Sequence, residues 1–76
     1  MTEYQNPPTN RQLQILTLIA YGMTNDEIGK VLFLSGGTVR NHLTLLMKRI
    51  GAKGRSNAVA IGLSKDLIRY PDPTLE

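Results

Sequence analysis

Val39, Leu43, Leu46 and Ile50 follow one another at intervals of four, three and four residues. At 3.6 residues per turn, that spacing gathers four apolar side chains into a single stripe along a helix. Arg40, Asn41, Thr44 and Lys48 repeat at similar intervals on a different face. One side of this helix is therefore made for burial and the other is rich in hydrogen-bond donors. Ser35 can cap its start and Gly51 can end it. A chain holding such a helix must supply other helices to cover the stripe, and it leaves the polar face for a partner.

The rest of the sequence supplies that cover. From Thr9, a capping residue, Leu13, Leu16 and Ala20 fall at helical spacing, widened by Ile15 and Ile19, and Gly22 can end the helix in a left-handed conformation. Thr24 with Glu27 three residues on reads as a capping box, and Asp26 and Glu27 suit a helix's positive end. Ile28, Val31 and Leu32 are expected to form the apolar face of a short helix of about two turns. Phe33-Leu34 is then a tight connection. After the basic turn AKGR, Ser56 is expected to cap a largely apolar fourth helix carrying Ala58, Val59, Ala60, Ile61 and Leu63. No strand-like alternation is visible.

The expectation is an all-α, four-helix bundle-like domain over residues 9–70, with an arm at 1–8 and a tail at 71–76. A short helix, a tight turn and a longer helix with a polar outer face describe a helix-turn-helix. Gly29 fits there: a missing side chain on the inner side of the short helix lets the next helix cross closely. That packing offsets the roughly 1 kcal/mol a mid-helix glycine costs relative to alanine.

Seventy-six residues allow one small domain. Cysteine is absent, His42 is the sole histidine, and the carboxylates lie scattered towards the two ends. Catalysis or metal binding needs several such groups converging, so neither a catalytic site nor a metal site is expected. A phosphate-binding loop would need a preceding strand and a Gly-Lys-Ser/Thr ending, and the Gly36-Gly37 pair has neither. No leader pattern is visible, and no apolar run approaches the ~20 residues that span a bilayer. The net charge of +3 is unevenly placed: between Ile28 and Lys65 there is no acid, but there are Lys30, Arg40, Lys48, Arg49, Lys53, Arg55 and Lys65. A one-sign stretch of this kind suits a polyanion such as nucleic acid, and charge alone equally describes a solvated basic face.

The segments ILTLIAYGMTNDEIGKVLFLSGGTVRNHL and KRIGAKGRSNAVAIGL closely resemble the LuxR-type helix-turn-helix domain from about Thr9 to Leu63. The likeness rests on an ordered set that includes Leu16, Gly22, Thr24, Glu27, Ile28, Ser35, Thr38, Val39, His42, Leu43, Gly51, Arg55 and Ala58. It implies a bacterial transcriptional regulator that binds double-stranded DNA, with the third helix in the major groove and a homodimer contact on the last helix. Carried over by position, Arg40, Asn41 and Thr44 would face bases, and Thr38, His42, Lys48 and Lys53 would face phosphates. The dimer contact would fall on Ala58, Ile61, Gly62 and Lys65. The side chains suit these roles: Arg40 can pair with guanine O6 and N7, and Asn41 with adenine N6 and N7.

Two departures stand out. Pro8 replaces a usual leucine, and Gln12 replaces a glutamate that tends to hold the first helix by a salt bridge. Gln12 can hydrogen-bond but cannot form that ion pair. The glycine pair at the start of the recognition helix is also unusual, since relatives carry larger residues there. It weakens helix nucleation by about 1 kcal/mol per residue if fully helical. It also leaves backbone N–H groups at the positive end uncovered, so Ser35 and Gly37 join the expected phosphate contacts. This helix end is expected to order fully only on DNA.

The resemblance further implies a stand-alone DNA-binding domain in the cytoplasm, associated with the nucleoid. No cofactor, membrane or small-molecule ligand is expected, and with no sensor domain its activity would follow abundance or a partner. RNA polymerase is a further candidate partner. The alternative reading is a protein-interaction module, binding RNA polymerase, a sigma factor or a longer LuxR-type regulator with little DNA binding of its own.

Overall fold

The computed structural model describes residues 7–69, in which four helices occur and no strand: α1 (Asn10–Ala20), α2 (Asn25–Leu32), α3 (Gly36–Ile50) and α4 (Arg55–Ser64). The expected tail at 71–76 and most of the expected arm lie outside the described residues.

Local chemistry sets most boundaries as the sequence predicts. Thr9 caps α1 in a capping box: its Oγ1 accepts from Gln12 N–H at 3.1 Å, and Gln12 Oε1 accepts from Thr9 N–H at 3.0 Å. Thr24 and Glu27 form the same reciprocal pair at the start of α2, at 3.1 and 2.8 Å. Ser35 caps α3 by accepting from Thr38 N–H at 3.0 Å. Gly22, just past α1, and Gly51, ending α3, both take the positive φ that glycine adopts without strain.

The start of α4 is different. Gly54, not Ser56, is its N-cap, and no side chain bonds there; Ser56 lies within the first turn. The turn is tied instead by Asn57, whose Oδ1 accepts from Lys53 N–H at 2.8 Å.

The turn between α2 and α3 is made tight by Phe33, which ends α2 in the left-handed region at φ 61°, ψ 44°. The N–H groups of Phe33 and Leu34 both return to the Gly29 carbonyl, the latter at 2.8 Å. Gly29 is buried at this crossing, and a Cβ there would run into the Leu34 carbonyl oxygen, which is backbone and cannot swing aside. The close approach inferred from the sequence is therefore present.

All four residues of the α3 stripe, Val39, Leu43, Leu46 and Ile50, are buried against Ile15, Leu16, Ile19, Ile28 and Ala58. Three details differ from the periodicity. Val31 points outward from α2 and is half exposed, Ala60 is exposed, and Leu13 is only partly buried. The core also has a member that no helical pattern marked. Beyond α4 the chain turns back, with the N–H groups of Leu67 and Ile68 donating to the Gly62 carbonyl at 2.8 and 3.2 Å. This seats Ile68 in the core beside Gly62, where a Cβ would stand 2.9 Å from Leu16 Cδ2 and 3.1 Å from Ile68 Cγ1.

Candidate nucleic-acid interface

Burying one face of α3 fixes what the other presents. Its exposed residues are Gly37, Arg40, Asn41, Thr44, Leu45 and Lys48. The three side chains expected to face bases, Arg40, Asn41 and Thr44, thus share one surface, with Lys48 on the turn beyond. Arg40 also borders an open groove with Thr24, Asn25, Asp26 and Arg55, where α3 passes the start of α2.

The basic residues separate into two groups that the sequence could not distinguish. Arg49 turns inward: its Nη1 donates to Gln12 Oε1 at 3.1 Å and to the Pro7 carbonyl at 3.3 Å. Arg55 donates from Nη1 to Asn25 Oδ1 and from Nη2 to the Met23 carbonyl, both at 2.9 Å. These two guanidiniums hold α1, the α1–α2 connection and α2 in place. Lys30, Arg40, Lys48 and Lys53 are exposed. Gln12, only 3% exposed, gives Arg49 a neutral partner in place of an ion pair, and the same oxygen completes the α1 capping box.

At the start of α3, Ser35 Oγ donates to Thr38 Oγ1 at 2.9 Å while accepting from Thr38 N–H. That leaves the Thr38 hydroxyl hydrogen to point at an outside acceptor. The two glycines are not equivalent. Gly36 is covered by the Asp26 carboxylate, whose Oδ1 occupies the space a Cβ would take, whereas a Cβ on Gly37 would meet nothing nearer than Ser35 Oγ at 3.9 Å. Of the pair, only Gly37 offers an open approach. His42 is half-buried on the flank of α3, and Lys53 stands exposed in the turn before α4.

The four residues expected at a dimer contact share one side of α4 but differ in burial. Ala58 and Gly62 point into the chain's own core, Ile61 is half-buried and Lys65 is exposed. Among the described residues, no three His, Cys, Asp or Glu side chains converge on a point. No helix among them is long and apolar enough to cross a membrane.

The sequence model for bacterial regulatory proteins of the luxR family, named for GerE, matches residues 7–61. The spore germination protein GerE of Bacillus subtilis (strain 168) is 42% identical over 59 residues, covering 75% of this chain and 80% of GerE. The uncharacterized transcriptional regulatory protein YvfU of the same organism is 40% identical over 68 residues, covering 90% of this chain but 34% of YvfU. Among solved structures, that of the transcription factor GerE superposes with a TM-score of 0.77 at 30% identity, covering 80% of this chain and 91% of GerE. The response regulator ChrA of a heme-sensing two-component system superposes with a TM-score of 0.80 at 26% identity, covering 84% of this chain and 32% of ChrA. The chain thus spans about a third of YvfU and of ChrA, and most of GerE.

Proposed function

Because the chain belongs to the luxR family of bacterial regulatory proteins, we propose that it is a transcriptional regulator that binds double-stranded DNA by inserting α3 into the major groove. The observation that carries this reading is the exposed face of α3. Arg40, Asn41 and Thr44 lie together there, beside exposed lysines and opposite a fully buried stripe. Arg40 and Asn41 supply the paired donors and acceptors that distinguish guanine and adenine edges. Thr38, Gly37, Lys48 and Lys53 fix the position of the helix on the backbone without reading sequence. His42 adds a ring N–H at the flank, and Ser35 acts through Thr38. The chemistry asked of the protein is recognition and not catalysis, as for its relatives, which are regulators.

The protein is further proposed to act as a homodimer through α4. Support comes from the largely apolar groove between α1 and α4, bordered by Ile19, Ala20, Val59, Ala60 and Leu63 together with Arg55 and Ser56, and from exposed Ala60 and half-buried Ile61 on α4. Sedimentation at high concentration checks this, and a strictly monomeric mass with and without DNA refutes it. A dimer of this kind prefers inverted half-sites about one helical turn, ~10 bp, apart.

Titration of a duplex at several salt concentrations tests DNA binding. If Lys48 and Lys53 of each protomer neutralise a phosphate, the slope of log K against log salt is about −3 to −4. Binding that is flat with salt, or absent for every duplex, points to the protein-interaction reading instead.

A further inference from the structure

Five of the six exposed residues on α3 are polar or glycine; the sixth is Leu45, half exposed at 50%. It lies four residues after Asn41 and three before Lys48, so the three share one strip of the helix surface. A single exposed leucine is ordinary on a protein surface and needs no function. This one is distinguished by its neighbours. Asn41 and Lys48 stand about 10 Å apart along the axis, with Leu45 between them. Any duplex that touches both must cover Leu45 and strip the water from it. A polar base edge pressed there would lose its hydration and gain no hydrogen bond. The one apolar group on the major-groove edges of the bases is the C5-methyl of thymine.

From this geometry we infer that Leu45 is a specificity-determining residue that reads a thymine through its methyl group. The inference rests on the proposal that α3 enters the major groove. Leu45 packs on the methyl while Arg40 and Asn41 bond neighbouring edges, so the preferred half-site carries a thymine offset from the bases they read, in the direction of Lys48. Cytosine at that position presents no methyl, and guanine presents only acceptors.

The test uses the full chain and a duplex recovered by selection from a random pool. Each thymine in turn is replaced by uracil, which removes the methyl and leaves the pairing edge intact. Wild-type protein is expected to lose about fourfold in affinity at one thymine per half-site, the value of one buried methyl group. Leu45→Ala, whose folding is verified by its helical circular dichroism, is expected to bind thymine and uracil equally at that position while keeping its Arg40- and Asn41-dependent preferences. Restoring the methyl as 5-methylcytosine, paired with guanine, should favour wild type over Leu45→Ala relative to plain cytosine. If wild type tolerates uracil at every position, or if Leu45→Ala keeps the full uracil penalty, the assignment is overturned. Failure of wild type to bind any duplex is a distinct result: it removes the DNA-binding reading and the Leu45 role with it.

Discussion

Gly29→Ala sets two physical effects against each other, and the structure decides the sign. Alanine is favoured over glycine within a helix by about 1 kcal/mol, partly through the unfolded chain, so on propensity alone the variant would be more stable. The added methyl, however, points at the Leu34 carbonyl oxygen in the turn between α2 and α3. That oxygen is backbone, in a turn already committed by the Phe33 and Leu34 N–H groups bonding back to Gly29. Relief requires α3 to move away from α2, and overpacking of this kind costs typically 1–3 kcal/mol, more where no side chain can give. With a backbone atom in the way the cost falls at about 2–3 kcal/mol, and subtracting the propensity gain of about 1 kcal/mol leaves a net loss of about 1–2 kcal/mol. For a domain of this size that is a drop of roughly 5–15 °C in Tm. Gly37→Ala serves as the control, because its methyl meets only Ser35 Oγ at 3.9 Å. It should stabilise by about 0.5–1 kcal/mol. Gly36→Ala should fall between them, since the atom in its way belongs to the side chain of Asp26 and can swing aside. Urea and thermal unfolding of the three variants, followed by circular dichroism, give the ranking. A Gly29→Ala variant as stable as wild type or more so would show that the close crossing does not constrain this turn.

The other predictions concern single groups. Gln12→Met keeps the volume but removes the acceptor shared by Thr9 N–H and Arg49 Nη1, and should cost about 2 kcal/mol at roughly 1 kcal/mol per net hydrogen bond; an unchanged urea midpoint would contradict the network. Phe33→Gly relieves a left-handed conformation on a side chain that is 92% exposed and should raise stability by about 0.5–1 kcal/mol, so a lower Tm would count against it. Arg40→Ala should cost roughly 1–3 kcal/mol on the preferred site and change the ranking of sites, whereas Lys53→Ala, which removes one phosphate contact from each protomer of the dimer, should weaken all sites alike and flatten the salt slope by about 2. Competition assays across a panel of duplexes separate the two patterns; an unchanged ranking for Arg40→Ala would remove its base-reading role.

Much of the candidate interface is legible from spacing because a helix converts sequence interval into direction. Once Val39, Leu43, Leu46 and Ile50 are assigned to the core, the exposure of Arg40, Asn41, Thr44 and Lys48 follows. Leu45 escapes the same logic because an apolar residue beside an apolar stripe reads as a widening of that stripe. Only the packed position of α3 shows that it stands outside. Arg49 and Arg55 escape it for the opposite reason. A run of basic residues looks like one electrostatic feature, yet these two find acceptors 37 and 30 residues away in sequence. The inward Ala58 and Gly62 were likewise indistinguishable from partner-facing residues on a helix that is apolar on several sides.

By itself the sequence determines four helices, three of their four N-capping residues, the stripe that is buried and the tight turn that Gly29 permits. Each depends on neighbours within a turn or two of the chain: a hydroxyl three residues from an N–H, or apolar residues returning at the helical period. Tertiary structure alone decides which cations stay exposed, that Asp26 covers Gly36 and leaves Gly37 open, and that Ile68 completes the core. Those outcomes depend on which acceptor, carboxylate or cavity a distant segment brings within a few ångströms, and no local spacing encodes that distance.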